Sequence, residues 1–438
     1  MVTCRSADDD GSPVTRGGPR SVCQTAVIVR ALARAVLSAG HAWTASATAY
    51  LLTLAAAAPS RGSGATPPAT RPVHIIVLVP AHDEAGGIAD TVRSLTAQDH
   101  PADLRETIVI ADNCSDATAR VAADAGATVW ERIDPERRGK GQALAWAIGR
   151  LTTERPAADA VAIVDADCIA SENLLGVMAG RLAAADAAVQ CGYVVANAEA
   201  SPESALRTAG FLLMHDVRAG GKQALGLSTG LFGTGMAFAM TTLRRVPWES
   251  TSITEDTEYH LRLIDAGLRV AYAGDAHVAS EMPTSAAAAR EQHLRWEGGN
   301  AALARGTAPR LLAKGIMNRS PQHVHAALER WVPPQSLLLA ATLAATAGSA
   351  VSGSSRGRRF GLATLAGQGL YVVGGLVAAR APSAVWRALV HAPRLVLRRL
   401  AVMTSMVRRG APTEWVRTAR EHESPRNPPS HDEAGLGV

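Results

Sequence analysis

The chain has 438 residues, 47% of them hydrophobic and 19% charged, with a formal net charge of +5 and a mean hydropathy of +0.06. That balance is too apolar for an ordinary soluble enzyme and too polar for a bare membrane bundle, and the length leaves room for two or three units. Aromatic residues make up only 4%, which counts against a base-stacking nucleic-acid platform.

Residues 1–34, with their Gly, Ser, Pro and Arg and an Asp run, are expected to be disordered. Residues 35–58 contain no Asp, Glu, Lys or Arg and are long enough to cross a hydrocarbon core of about 30 Å as a helix. The long polar leader argues against a cleaved secretory signal. A linker rich in Pro, Gly and Ser occupies residues 59–72.

From residue 73 short apolar runs alternate with amphipathic stretches. Strands are expected at 74–79 (HIIVLV), 107–111 (TIVIA) and 161–164 (VAIV), and helices at 87–98, 117–125 and 141–151. This alternation predicts βαβ units and a mostly parallel sheet over residues 73–330. In such sheets ligands bind beyond the carboxyl ends of the strands. Residues 331–381 carry two further candidate spans, 335–352 and 360–379. The segment 382–410 mixes apolar residues with Arg387, Arg394, Arg398 and Arg399 and reads as an interfacial amphipathic helix. Residues 411–438 form a polar tail, and the C-terminal arginines suit a membrane surface. The five cysteines (Cys4, Cys23, Cys114, Cys168, Cys191) form no CxxC pair, so they indicate neither a zinc site nor a disulfide framework, and a reducing compartment fits them.

Acidic residues follow each of three strands: Pro80-Ala-His-Asp-Glu84, Asp112, and Asp165 with Asp167. Clustered carboxylates repel unless a cation compensates them. A hard divalent cation with oxygen ligands, Mg2+ or Mn2+, fits, and such an ion is usually shared with a substrate's phosphates. If the Asp165-Ala-Asp167 segment is extended, both carboxylates share a face and point into one cleft. The same two aspartates could simply start a loop. A Walker-type phosphate loop is excluded because Asp134 and Gly141 break the pattern around Gly139-Lys140. No GxGxxG follows the first strand, and a phosphatase nucleophile would be expected after the first strand, where this chain has PAHDE.

Four more stretches occur in order: Ile110-Ala-Asp-Asn-Cys-Ser-Asp116, Gly233-Thr-Gly235, Thr254-Glu-Asp256 and Gln292-His-Leu-Arg-Trp296. With PAHDE and DAD, the series resembles the family 2 glycosyltransferases of the GT-A fold, among them the membrane-attached, cellulose-synthase-like and hyaluronan-synthase-like members. The resemblance covers roughly residues 73–305. It implies an α/β catalytic domain with a Rossmann-like, mostly parallel mixed sheet, flanked by transmembrane or interfacial helices.

The resemblance also implies roles. His82, Asp83 and Glu84 would line the nucleotide pocket, with Asp83 standing where much of the family has Asn. Asp112 would meet the base and Lys140 the nucleotide or phosphates. Asp165 and Asp167 would hold the metal against the diphosphate. Asp256 would be the general base, with Glu255, Gly233, Thr234 and Gly235 on the acceptor side. Gln292 and Arg295 would lie near the diphosphate and Trp296 under the acceptor sugar. These residue types suit their tasks: a carboxylate can take a proton, a guanidinium fork binds two phosphate oxygens, and an aromatic face suits a sugar ring. Blander readings are a helix cap for Glu255 and Asp256, a core aromatic for Trp296 and a solvated charge for Lys140. His215, His260, His277 and His293 read as structural or surface residues, since their spacing matches no zinc motif.

The expected function is an inverting, metal-dependent transfer from a nucleotide-sugar donor, a UDP-sugar, to a lipid or glycan acceptor. It would take place at the plasma membrane with the catalytic domain in the cytoplasm and no nucleic-acid partner. A non-catalytic membrane scaffold retaining the binding fold, or a sugar-nucleotide pyrophosphorylase, are the alternatives.

Overall fold

The structure is a computed structural model and describes residues 20–59, 66–250, 252, 254–282, 306–394 and 397. Its centre is an eight-stranded sheet built from β1 (Ile75–Ala81), β2 (Arg105–Asp112), β3 (Thr128–Arg132), β4 (Ala160–Ile163), β5 (Cys168–Ala170), β6 (Ala188–Val195), β7 (Met236–Ala239) and β8 (Val270–Ser280). The strand order is β3-β2-β1-β4-β7-β6-β8-β5. Strands β3, β2, β1 and β4 run parallel. Antiparallel β7 joins them to a second part, in which β6 pairs with β8 in parallel and β5 closes the edge.

The three strands expected from the sequence are β1, β2 and β4. They are the easy ones because strands of a covered parallel sheet are apolar on both faces. Ile75, Val77 and Val79 of β1 pack towards α2 (Ile88–Thr96), α3 (Thr118–Asp124) and α5 (Leu174–Ala183). Ile76 and Leu78 pack towards α4 (Lys140–Glu154), α8 (Met240–Arg245) and α9 (Glu255–Asp265). A buried layer therefore lies on each side, and the alternation of side chains along one strand supplies both.

The remaining helices form a second body beside the sheet. They are α1 (Arg20–Ala57), α6 (Pro202–Phe211), α7 (Ala219–Ala224), α10 (306–317), α11 (Pro321–Trp331), α12 (Gln335–Val351), α13 (Ser355–Ala378) and α14 (Ser383–Ala388). Ser201 caps α6 by accepting the Ser204 N–H at 3.0 Å, with Pro202 in the first turn. Between α6 and α7 the residues Leu212–Arg218 widen into a π-helix.

The expected spans fall on helices. Residues 35–58 lie within α1 plus one residue, 335–352 on α12 and 360–379 on α13. Among the described residues one helix, Ser355–Ala378, is long and apolar enough to cross a membrane; a second span results if α11 and α12, bent by 67°, count as one. Of the expected amphipathic segment at 382–410, α14 and a short 3-10 turn at Leu389–His391 are seen. Most residues beyond 394 lie outside the described ones.

The second body is held together by buried charges. Glu329 of α11 accepts hydrogen bonds from Lys222 Nζ of α7 and from Arg218 Nη2 at 3.2 Å, with all three side chains largely buried. Removing one member of a buried ionic group strands the others. Glu329→Ala is expected to lower the unfolding free energy by about 3–5 kcal/mol, read as a lower denaturation midpoint of the detergent-solubilised chain.

Candidate active site

Asp165 stands just beyond β4. Sequence reasoning placed Asp165 and Asp167 on an extended segment, but Cys168 N–H bonds the Asp165 carbonyl at 3.1 Å, so Asp165-Ala-Asp-Cys168 is a turn. The chain turns because β5 must begin at Cys168 and pair antiparallel with β8. The turn is pinned from two sides. Thr91 of α2 donates to the Ala166 carbonyl at 2.9 Å, and the Asp165 N–H donates to Thr234 Oγ1 at 3.0 Å. The two carboxylates still sense each other, since the charge of Asp167 raises the pKa of Asp165.

Lys140 is the first residue of α4. Gly139 before it has φ of 108°, a left-handed conformation that glycine adopts without strain, and this swings the chain so that Lys140 enters the cleft. Its Nζ lies 2.7 Å from Asp165 Oδ1 and 3.5 Å from Glu255 Oε1, and donates to the Gly233 carbonyl at 2.7 Å. Gly233 also needs its left-handed φ of 83°. A Cβ there would sit 3.4 Å from Lys140 Nζ and 3.7 Å from Asp256 Oδ2, filling the gap between cation and carboxylate. Lys140 is therefore engaged rather than a solvated charge.

Glu255 and Asp256 open α9. The Thr257 N–H bonds Asp256 Oδ1 at 2.6 Å, and the helix N-terminus favours the charged form of both acids. Burial works the other way. It pushes Glu255 up to about 7, with Lys140 opposing and Asp256 adding to the rise. Burial likewise raises Asp256 against the Thr257 N–H and Lys140, and Asp165 against Lys140. For Lys140 burial alone would lower the pKa, but Asp165, Glu255 and Asp256 outweigh it and hold the ammonium well above its ordinary value. Three carboxylates thus surround one cation, with Asp167 beside them, a surplus of negative charge that adds to the rise of Asp165 and Glu255. A divalent ion at Asp165 and Asp167 would relieve it, so the donor set fits Mg2+ or Mn2+.

A second acidic group does not fit one. Asp83, Cys114 and Asp116 bring ligand atoms within 4.8 Å of one another, but the Asp83 carboxylate accepts from Ser115 N–H at 2.6 Å, Ser115 Oγ at 2.9 Å and Asp116 N–H at 3.2 Å. Burial would raise Asp83; the Ser115 N–H and hydroxyl overcome it and hold the group below the usual carboxylate range. Burial raises the Cys114 thiol, and a protonated thiol is a poor partner for a hard cation. The aspartate at position 83 instead ties the β1 end to the loop after β2. Asp116 continues the link by accepting the Ala85 N–H at 3.1 Å, and Thr118 accepts the Glu84 N–H at 2.7 Å.

The other residues expected on the nucleotide side lie at the same sheet edge. His82 Nδ1 bonds the Asp112 carbonyl at 2.7 Å. The Asp112 carboxylate is buried and paired with Arg132 of β3, which also reaches Asp134 at 2.9 Å. Thr234 is wholly buried and spends its hydroxyl on the DAD turn, while Gln190 of β6 donates to the carbonyls of Thr234 at 2.9 Å and Gly235 at 3.2 Å. Sequence reasoning missed Gln190 and Arg132, whose role appears only once β3 and β6 are in place. His260 is buried and bonded to Ser228 Oγ at 2.8 Å. Gln292, Arg295, Trp296 and His293 lie outside the described residues.

Residues 72–299 match glycosyltransferase-like family 2. Over 92 residues the chain is 35% identical to the "Low-salt glycan biosynthesis hexosyltransferase Agl6" of Haloferax volcanii, covering 21% of this chain and 20% of that one. Over 240 residues it is 24% identical to the "Probable glycosyltransferase YdaM" of Bacillus subtilis, covering 52% and 55%. The chain therefore spans about half or less of the length of these curated relatives. A solved mannosyltransferase of Pyrobaculum calidifontis, PcManGT in complex with GDP-Man and Mn2+, superimposes with a TM-score of 0.54 at 22% identity over 83% of this chain and 98% of that one. The fold is a GT-A α/β fold. The chain belongs to glycosyltransferase-like family 2.

Proposed function

We propose that the protein is a membrane-anchored, inverting glycosyltransferase that moves a sugar from a nucleotide donor, a UDP-sugar, to an acceptor hydroxyl on a lipid or glycan. The observation that carries this reading is the convergence of Asp165, Glu255 and Asp256 on Lys140 at the carboxyl edge of the sheet, in a chain of this family. Asp165 and Asp167 would hold Mg2+ or Mn2+, which when bound neutralises charge on the leaving diphosphate. Lys140 adds a fixed positive charge beside them. Asp256, at the start of α9, takes the proton of the acceptor hydroxyl as it attacks the anomeric carbon. Glu255 keeps Lys140 in place.

The membrane reading draws on the packing of α1, α12 and α13. Their mutual interface buries His41, Thr44, Thr48, Thr342, Ser349 and Gln368. His41 Nε2 pairs with Ser349 Oγ at 2.9 Å, and Gln368 Nε2 donates to Thr342 Oγ1 at 2.7 Å. Outward-facing Leu343, Val351, Leu362, Leu370 and Val377 are exposed. Polar inside and apolar outside, with small residues such as Gly361 at the close approaches, is how helices associate in lipid. Nine arginines between Arg387 and Arg426 against three in the loop at Arg356, Arg358 and Arg359 favour a topology with the tail in the cytoplasm beside the catalytic domain and the loop outside. A cysteine in place of Ser354 should then react with a membrane-impermeant maleimide in intact cells. Labelling only after permeabilisation would make α12 and α13 a re-entrant hairpin.

The activity is tested with the full-length protein in detergent and a panel of UDP- and GDP-sugars. Metal-dependent release of one nucleotide is the expected result. No release from any donor, with Mg2+ or Mn2+ present, would overturn the proposal.

A further inference from the structure

Helices α1, α12 and α13 contain no Asp, Glu or Lys; their charged residues are Arg20, Arg30 and Arg34 of α1 and Arg356, Arg358 and Arg359 of α13. Packing brings most of these arginines to one level. His41 meets Phe360, with ring centroids 5.9 Å apart, and a Cβ on Gly361 would sit 3.0 Å from His41 Cε1. One heptad further along both helices, Gln368 Nε2 donates to Thr48 Oγ1 at 3.3 Å. The two helices therefore run parallel in matched register. At about 1.5 Å per residue, Arg34 of α1 and Arg356, Arg358 and Arg359 of α13 fall within a band roughly 8 Å deep, with Arg30 about 6 Å beyond it. Helix α12 runs the other way: a Cβ on Gly40 would sit 3.9 Å from Ala345 Cβ, and one on Gly348 would sit 2.7 Å from Leu37 Cδ2. The turn from α12 to α13 thus closes at the level of the arginine band.

Arg30, Arg34, Arg356, Arg358 and Arg359 are all exposed, and among the described residues none of them pairs with a carboxylate. Like charges gathered at one end repel each other. Beside them lies a cavity of about 480 Å³ lined by Ser355, Arg356, Arg359 and Phe360. Towards the middle of the helices the surface turns apolar, with Leu343, Leu362 and Leu370 exposed. A guanidinium fork grips two phosphate oxygens, and basic pockets between membrane helices take anionic lipid headgroups. In the topology favoured above this end faces outward, where positive charge is scarce. An arginine band there calls for an anion that the bilayer itself supplies.

We propose that the loop end of the α1, α12 and α13 body binds an anionic phospholipid, with its phosphate held by Arg356 and Arg359 in the cavity, Arg34 beside them, and its acyl chains on the exposed apolar side chains of the same helices; the proposal rests on the membrane reading above. The far end of α13 is fixed to the rest of the protein, where Gly375 lies against Leu213 and Val217 of the π-helix. A lipid bound at the loop end therefore sets the depth of α13 in the bilayer, and with it the height at which the catalytic domain is held.

The test uses the full-length protein in a maltoside detergent, titrated with dioleoyl phosphatidylglycerol or dioleoyl phosphatidylcholine, with bound lipid counted by native mass spectrometry. The wild-type protein should hold its first phosphatidylglycerol about tenfold or more tighter than phosphatidylcholine, since each basic residue at an anionic lipid surface is worth roughly fivefold. Arg356→Gln with Arg359→Gln should weaken phosphatidylglycerol roughly twentyfold and leave phosphatidylcholine unchanged, and Arg34→Gln should weaken it several-fold. Arg380→Gln removes the same charge just past the other end of α13 and should leave the first phosphatidylglycerol in place. The substituted side chains are exposed, and an unchanged melting temperature shows that each variant is folded. Inorganic phosphate should not displace the lipid. The proposal is overturned if wild-type protein binds the two lipids alike, if Arg380→Gln weakens binding as much as the double variant, or if inorganic phosphate displaces the lipid. It is also overturned if phosphatidylglycerol binds only after Asp8→Asn, Asp9→Asn and Asp10→Asn are made together, which would make the chain's own acidic run the occupant. The membrane reading fails separately, by a chain that stays in solution without detergent.

Discussion

Asp167→Asn is expected to abolish turnover and to weaken donor binding sharply while the fold survives. Asp167 is exposed, so its loss leaves no cavity and should cost little stability. Its contribution is electrostatic. With Asp165 it supplies the oxygens that would share a divalent ion with the diphosphate, and Asp165 is already partly committed to Lys140 at 2.7 Å. Losing Asp167 therefore removes the carboxylate that Lys140 does not hold. The surplus negative charge around Lys140 also falls, so the burial-raised pKa of Asp165 should drop. A calorimetric titration of donor with Mn2+ reads the outcome. Donor affinity equal to wild type would take Asp167 out of the metal site.

The fold was legible in the sequence where burial on both faces left unbroken apolar runs. HIIVLV, TIVIA and VAIV are such runs, and they became β1, β2 and β4. Strand β3 (TVWER) was not legible, because its charged residues exist for tertiary reasons: Arg132 pairs with Asp112. Strand β5 has three residues, too few for any period to register. The acidic motifs were readable because charge at a strand end is conspicuous. What the spacing of DAD hid was its backbone, since a period-two argument presumes an extended chain and a turn breaks it. Lys140 gave only a weak signal, because its three carboxylate neighbours lie at positions 165, 255 and 256.

Asp256→Asn should separate binding from chemistry. The amide is nearly isosteric, and its carbonyl oxygen can still accept the Thr257 N–H now held at 2.6 Å, so α9 keeps its start. Donor binding should stay close to wild type, because Asp165 and Asp167 are untouched. The neighbours should shift in a definite direction. Asp256 now helps to raise both Glu255 and Asp165 and to hold the Lys140 proton; without it both acids become more acidic, and Lys140 keeps its proton through the other two carboxylates. The acceptor hydroxyl loses its proton acceptor. General base catalysis is worth roughly 10²–10⁴ in rate, so kcat for transfer should fall by that factor with little change in donor KM. Glu255 does not replace it, since its carboxylate is engaged with Lys140 at 3.5 Å. The decisive measurement is single-turnover transfer at saturating donor. A rate within about threefold of wild type, far inside the range expected for a lost base, would remove Asp256 from that role and point to a base supplied by the acceptor or by water.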